Sequence, residues 1–255
     1  MELIDTHCHL YLKEFAEDLA DVMQRAGSEG VKKFYLPSID SSQFADLIEL
    51  EEKFPQQCVA MAGLHPCSVK ESFQAELSFF REALGRKKYA AIGEIGLDFY
   101  WDRQFEAQQY IAFHEQIEWA LEFQIPIVIH SRDSMEQSIQ VVREHQHGNL
   151  KGIFHCFNEG LDFARQIVDL GFYLGIGGVI TYKNAGLDKV IKEIDPRHII
   201  LETDAPYLTP VPFRGKRNEP GYLSYILQKL ADIRETNTGE IAAVTTNNAE
   251  KLFGL

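Results

Sequence analysis

Hydrophobic residues along the 255-residue chain gather into short runs separated by longer stretches in which apolar positions recur every three or four residues. The short runs occupy 3–7, 33–37, 58–65, 89–96, 125–130, 151–157, 172–178 and 198–204. Their length and apolar density predict strands. The stretches between them, 13–28, 44–54, 74–86, 103–123, 135–145, 161–170 and 185–194, have the helical period, and two more such segments, 222–234 and 239–253, finish the chain. The longest, 103–123, sets Phe105, Tyr110, Phe113, Ile117, Ala120, Leu121 and Phe123 along one stripe with Gln and Glu opposite, as in an amphipathic surface helix.

Eight strand-then-helix units in series predict an α/β fold, a single (β/α)8 TIM barrel. An open doubly wound sheet is the alternative, because periodicity counts strands without showing closure. No Gly/Ser/Pro-rich linker, low-complexity tract or shift in composition marks a boundary, so one domain over residues 1–255 is expected.

Composition narrows the class. No apolar run approaches the roughly 18 residues of a membrane span. No basic and apolar leader precedes the first strand, and a cytoplasmic protein is the expectation. Cys8, Cys58, Cys67 and Cys156 form no C-x-x-C pair and are too sparse for a disulfide framework, which makes them reduced thiols. A net charge of −13 argues against a surface that coats duplex nucleic acid, yet leaves room for an enzyme that takes a short strand end through bound metals and a few local cations.

Chemistry in a parallel barrel sits at the carboxyl ends of the strands. There the chain places His7 and His9, His65, Glu94, His130, His155 and Asp204. His7 and His9 are two apart, so strand alternation points both the same way and Cys8 the other. Alone, a His-x-His is better read as two polar residues leaving a strand. Five of the nine histidines on one expected rim change that balance, the other four being His114, His145, His147 and His198. Glu94 has no Lys or Arg in its own strand to offset burial, and a cation among these side chains is the economical solution.

Taken in order, the segments IDTHCH (4–9), GEIGLD (93–98), PIVIHSR (126–132), HCF (155–157), LETDAP (201–206) and RGKRNEP (214–220) resemble the TatD family of metal-dependent deoxyribonucleases over essentially the whole chain. The chain departs from the family pattern at Tyr11, usually Asp or Asn, at Ser134, usually Ala or Thr, and at Asp195-Pro196, where the proline is shifted. The resemblance implies a two-metal site in which His7, His9 and Asp204 hold one divalent ion, His130 and His155 the other, and Glu94 bridges. It implies cleavage of DNA phosphodiester bonds from a strand end, with Asp204 orienting a metal-activated water and taking its proton. Imidazole-rich sites suit Zn, Mn, Co or Ni, whereas Mg or Mn is the family's usual activator, so transition-metal occupancy with Mg- or Mn-supported turnover is expected.

Substrate contacts are expected from Arg132, just past His130, and from Arg214 and Asn218 in the long loop 205–221, where Lys216 and Arg217 add to a local basic patch. His65 is either a substrate contact or a satisfied loop histidine. Glu202 and Asp5 share strand parity with the ligands, and Asp5 would orient an imidazole or make a buried structural bond. Cys8 and Cys156 alternate away from the site. Tyr100 and Trp101 either stack on a base or cap the barrel. Two other functions compete: a related barrel hydrolase acting on a small amide or ester, which usually bridges its metals with a modified Lys on strand four, where this chain has Glu94; and a non-catalytic metal- or nucleic-acid-binding protein, which a complete ligand set disfavours.

Overall fold

The computed structural model describes residues 2–254 and contains all eight expected strands. They are β1 (Leu3–Asp5), β2 (Val31–Leu36), β3 (Cys58–Ala60), β4 (Ile92–Asp98), β5 (Ile127–Arg132), β6 (Gly152–Phe154), β7 (Tyr173–Ile176) and β8 (Ile199–Leu201). Around them run α1 (Leu19–Ser28), α2 (Ser41–Lys53), α3 (Phe73–Arg86), α4 (Glu106–Phe123), α5 (Met135–His145), α6 (Leu161–Asp169), α7 (Leu187–Glu193), α8 (Leu223–Arg234) and α9 (Thr238–Phe253). Every strand pair is parallel, in the orders β1-β2-β3 and β4-β5-β6-β7-β8. Two parallel bridges, Cys8 to Ala205 and Ala62 to Ile92, join these arcs at both seams. The sheet therefore closes, and the open-sheet alternative is excluded. Among the described residues no helix is long and apolar enough to cross a membrane.

Most ladders are shorter than the apolar runs, chiefly at the carboxyl rim. β1 stops at Asp5, two residues before His7, β6 stops at Phe154, just before His155, and β8 stops at Leu201. The runs continue as buried but irregular backbone because these residues turn into the barrel mouth. Cys156 and Asp204 take the left-handed conformation there, at φ 49 and 56. Such backbone is costly for residues with a Cβ and persists only where its surroundings enforce it.

The opposite end of the barrel is filled by Ile4, Tyr35, Met61, Ala91, Val128, Ile153 and Ile200, closed from below by Leu252 of α9. Tyr35 stacks on Phe253 with ring centroids 3.9 Å apart. A plug of this kind fixes strand spacing beneath the rim.

Helix α4 corrects the expected stripe. Phe113, Ile117 and Ala120 are buried as anticipated, but so are Gln109 and Gln116, seven residues apart on the same face. Gln109 accepts from the Asp98 amide at 2.9 Å and donates to the Asp98 carbonyl at 3.1 Å, and Gln116 does the same to Leu64 at 2.7 and 3.3 Å. Each amide side chain thus substitutes for a missing ladder partner just where β4 and the segment after β3 leave the sheet.

Candidate metal centre

Glu94 is the midpoint of the rim. It is almost fully buried, and its two oxygens face different imidazoles. Oε1 lies 2.9 Å from His130 Nδ1, 3.1 Å from His155 Nε2 and 3.5 Å from His65 Nε2. Oε2 lies 3.1 Å from His7 Nε2 and 3.9 Å from His9 Nε2. Asp204 completes the second group, its Oδ1 3.6 Å from His9 Nε2 and 3.7 Å from His7 Nε2. Burial alone would push the Glu94 carboxyl up; the positive charge available on His155, His7 and His65 and the hydrogen bond from His130 outweigh it and hold the group well below the usual range.

Tautomers decide which imidazoles can offer a lone pair. His9 Nδ1 lies 3.0 Å from the Tyr11 hydroxyl, whose proton goes to the Pro37 carbonyl at 2.8 Å. His9 must therefore donate from Nδ1, leaving Nε2 bare toward Glu94 and Asp204. His130 Nε2 is 2.8 Å from Asp98 Oδ2; a neutral ring with its proton held there turns its Nδ1 lone pair, which in the metal-free protein sits in the 2.9 Å hydrogen bond with Glu94, toward an ion. His155 Nδ1 faces Glu202 Oε1 at 3.2 Å without the alignment of a hydrogen bond, and Nε2 points at Glu94. At His9 and His130 a hydrogen-bonded acceptor behind the ring, and at His155 the facing carboxylate, favours the tautomer with its lone pair toward the centre, as outer partners of metal-bound histidines do.

His65 is opposite. Its Nδ1 accepts from the Cys67 amide at 3.0 Å, so the neutral ring carries its proton on Nε2. Although His65, Glu94 and His130 lie close enough together to share an ion, that tautomer makes His65 a donor into the cleft rather than a ligand. His7 is the most exacting member. It is fully buried, neither ring nitrogen makes a hydrogen bond, and burial beside His155 lowers its pKa. A buried imidazole with two unsatisfied nitrogens is expensive. A cation beside Nε2, within reach of Glu94 and Asp204, removes half of that cost, so the donor set fits a metal.

The cleft above these groups encloses about 740 Å³, lined among others by His9, His65, Glu94, His130, His155 and Asp204. Its outer wall includes Trp101, Arg132, Tyr207 and Leu208. Arg132 is exposed and stacks over Tyr100 and Trp101, at 3.8 and 5.1 Å from the ring centroids.

Three expectations are corrected by this geometry, for Asn218, for the basic patch at Arg217 and for Cys156. Asn218 is fully buried and cannot meet a substrate: its Nδ2 donates to the Thr203 and Tyr207 carbonyls at 2.7 and 2.6 Å, and its Oδ1 accepts from the Glu219 amide at 2.9 Å. It braces the turn that carries Asp204. Arg217 is spent on a two-pronged pair with Asp18 at 2.8 and 2.7 Å, while Arg25 clamps Glu219 at 3.0 and 2.6 Å, so the basic patch is largely a fastening of the loop to α1. Arg214 is exposed and packs over Tyr182 at 4.2 Å, outside the cleft lining. Cys156 lines the cleft instead of pointing away, because its left-handed backbone breaks strand alternation.

Asp5 takes its structural alternative. It accepts from the Thr203 amide at 2.9 Å and the Thr203 hydroxyl at 2.5 Å, tying β1 to the end of β8 without touching a ring. Asp98 and Glu202, the carboxylates behind His130 and His155, went unassigned; their signal was parity with a ligand on the same strand end. A Cβ at Gly175 would collide with Glu202 Oε2, so β7 is kept bare there to admit the carboxylate.

A closed parallel barrel with a buried carboxylate between imidazoles at its carboxyl rim defines the class of barrel-fold metal-dependent hydrolases. The sequence matches the TatD-related DNase family over residues 4–254. It is 38% identical over 252 residues, 98% of both chains, to YabD of Bacillus subtilis, an uncharacterised metal-dependent hydrolase. It is 33% identical over 258 residues, again 98% of both, to the 3′-5′ ssDNA/RNA exonuclease TatD of Salmonella typhimurium. The crystal structure of YjjV, a TatD homologue from Escherichia coli K12, superposes with a TM-score of 0.93 at 31% identity, covering 99% of this chain and 98% of that one. The chain belongs to the TatD family.

Proposed function

We propose that this protein is a two-metal phosphodiesterase that removes nucleotides from an end of single-stranded DNA. The observation that carries the proposal is the division of labour at Glu94, with one oxygen facing His130 and His155 and the other facing His7 and His9 beside Asp204. His7, His9 and Asp204 would hold one ion, His130 and His155 the other, and Glu94 both. The related exonuclease of Salmonella typhimurium supports a nucleic-acid substrate.

When bound, the ions supply a lowered water pKa and charge stabilisation for the phosphodiester. The protein's own groups do the rest. Asp204 is the ligand candidate with a partly exposed carboxylate, at 13% of its side-chain surface, and it orients the attacking water and accepts its proton. His65 offers an Nε2 proton, and Arg132 a guanidinium, to phosphate oxygens from the lining of the cleft. Asp98 and Glu202 keep His130 and His155 in the tautomers that face Glu94. The imidazole-rich set favours Zn or another transition metal as isolated, with Mg or Mn able to support turnover.

Metal analysis of the purified protein, combined with digestion of an end-labelled oligonucleotide, tests site and reaction together. The expected result is metal near two equivalents and a ladder shortening from one end. Folded His7→Ala or Glu94→Ala proteins that keep their metal and digest DNA like the wild type contradict it.

A further inference from the structure

Next to the buried site lies an exposed aromatic pair that the phosphodiester chemistry does not require. Tyr100 and Trp101 are 53% and 68% exposed, Trp101 more than any other large hydrophobic residue described, and they meet edge to face at 4.9 Å. Arg132 lies over both rings. Trp101 and Arg132 line the same cleft as Glu94 and Asp204, and Tyr100 supports them from outside the lining. The platform is also bolted to the centre. Asp98 Oδ1 accepts from the Tyr100 and Trp101 amides at 3.0 and 3.2 Å, while its Oδ2 holds His130 at 2.8 Å. One carboxylate thus fixes both an imidazole of the centre and the backbone of the aromatic turn.

We infer that Trp101, Tyr100 and Arg132 form a stacking subsite for an unpaired nucleobase adjoining the phosphate at the centre, an inference that rests on the nuclease reading above. An exposed indole beside a guanidinium offers a π-face and a cation, the pair of features that single-stranded nucleic acid uses without regard to base identity. A base inside a duplex is already stacked on both sides and cannot add itself to this platform. Single-strand preference then arises at the mouth of the cleft, separately from the bond-breaking groups at its floor. The chain's negative net charge makes one well-placed cation at the mouth more telling than it would be on a basic protein.

Trp101 and Trp119 are the chain's two tryptophans, and Trp119 is buried, so intrinsic fluorescence reports on the platform directly. Stopped-flow emission is followed as wild-type, metal-loaded protein meets a short single strand, the same strand with abasic sugars throughout, and a long blunt duplex without a loop. Quenching by the first and little by the other two is expected. Trp101→Ala should abolish the quench and raise KM for the single strand roughly tenfold with kcat little changed, the size expected for one lost base–aromatic stack; Arg132→Ala should weaken quenching and its salt dependence. Digestion of the strand with no change in tryptophan emission, or quenching that survives in Trp101→Ala, overturns the subsite while leaving the nuclease reading intact. Hydrolysis of bis(p-nitrophenyl) phosphate, which carries no base, tests the diesterase chemistry on its own; its hydrolysis without any binding or digestion of DNA overturns both nucleic-acid proposals.

Discussion

The two ends of the barrel interior are built from the same strands and have opposite characters. At the lower end Val128, Ile153 and Ile200 pack with Ile4, Tyr35 and Met61 into a hydrophobic plug. Two residues further along, the same strands present His130, His155 and Glu202. Alternation carries each strand from the plug to the site without a change of face. The plug is an apolar region that needs chiefly volume, with the Tyr35 hydroxyl its one unpartnered polar atom among the described residues. The rim buries imidazoles and carboxylates whose burial is tolerable only if each nitrogen and oxygen is answered, and both nitrogens of His7, His155 Nδ1 and Glu202 Oε2 are not. A substitution in the plug should therefore change stability, whereas one at the rim should change metal binding and reaction.

The largest break should come at Glu94. Glu94→Ala removes the group facing five imidazoles, and loss of bound metal with at least a thousandfold drop in phosphodiester turnover is expected, measured by metal analysis and steady-state kinetics on the folded variant. Next is Gly175→Ala, far less drastic chemically. Its methyl group should displace Glu202 from behind His155 and lower metal affinity by about 10- to 100-fold, as loss of an outer partner of a ligand histidine does. Competition with a fluorescent chelator measures it, and an unchanged affinity would mean that Glu202 does not orient His155.

Acid should have an intermediate effect with a definite sign. Despite burial, Glu94 together with Asp98 raises His130, and Glu94 together with Glu202 raises His155, above the ordinary imidazole range. In the metal-free protein these rings bind protons more tightly than free histidine, so protons compete with cations from a higher pH. Apparent metal affinity should fall steadily as pH drops from 8 to 6, with proton release on metal binding seen in buffers of different ionisation enthalpy. Tyr11→Phe removes the acceptor behind His9 and should weaken metal binding several-fold, about tenfold at most. The smallest effect belongs to the plug: Ile153→Val should cost about 1 kcal/mol of stability by thermal or urea denaturation and leave metal affinity unchanged.

The same contrast explains what could be read from the residues alone. Strand count, helix count and the barrel rest on apolar periodicity, which burial enforces along the whole chain. The parity of Val128 with His130, Ile153 with His155 and Ile200 with Asp204 is likewise visible in the sequence. Parity misleads where backbone leaves the ladder, as at Cys156, whose left-handed conformation turns it into the cleft. Long-range polar bonds are also silent in the sequence. Nothing local to Asn218 or Arg217 shows that their partners are Thr203, Tyr207 and Asp18. A polar residue in a loop after β8 reads equally as a substrate contact or as a brace, and only the fold separates the two.

In the proposed centre Glu94 stands between two cation positions. An anomalous difference map from crystals soaked in Mn2+ tests it most directly. Two peaks are predicted, one against each carboxylate oxygen of Glu94 and roughly 3.5–4 Å apart, the first also touching His7, His9 and Asp204 and the second His130 and His155 but not His65. A single peak, or manganese that does not touch Glu94, would contradict the account.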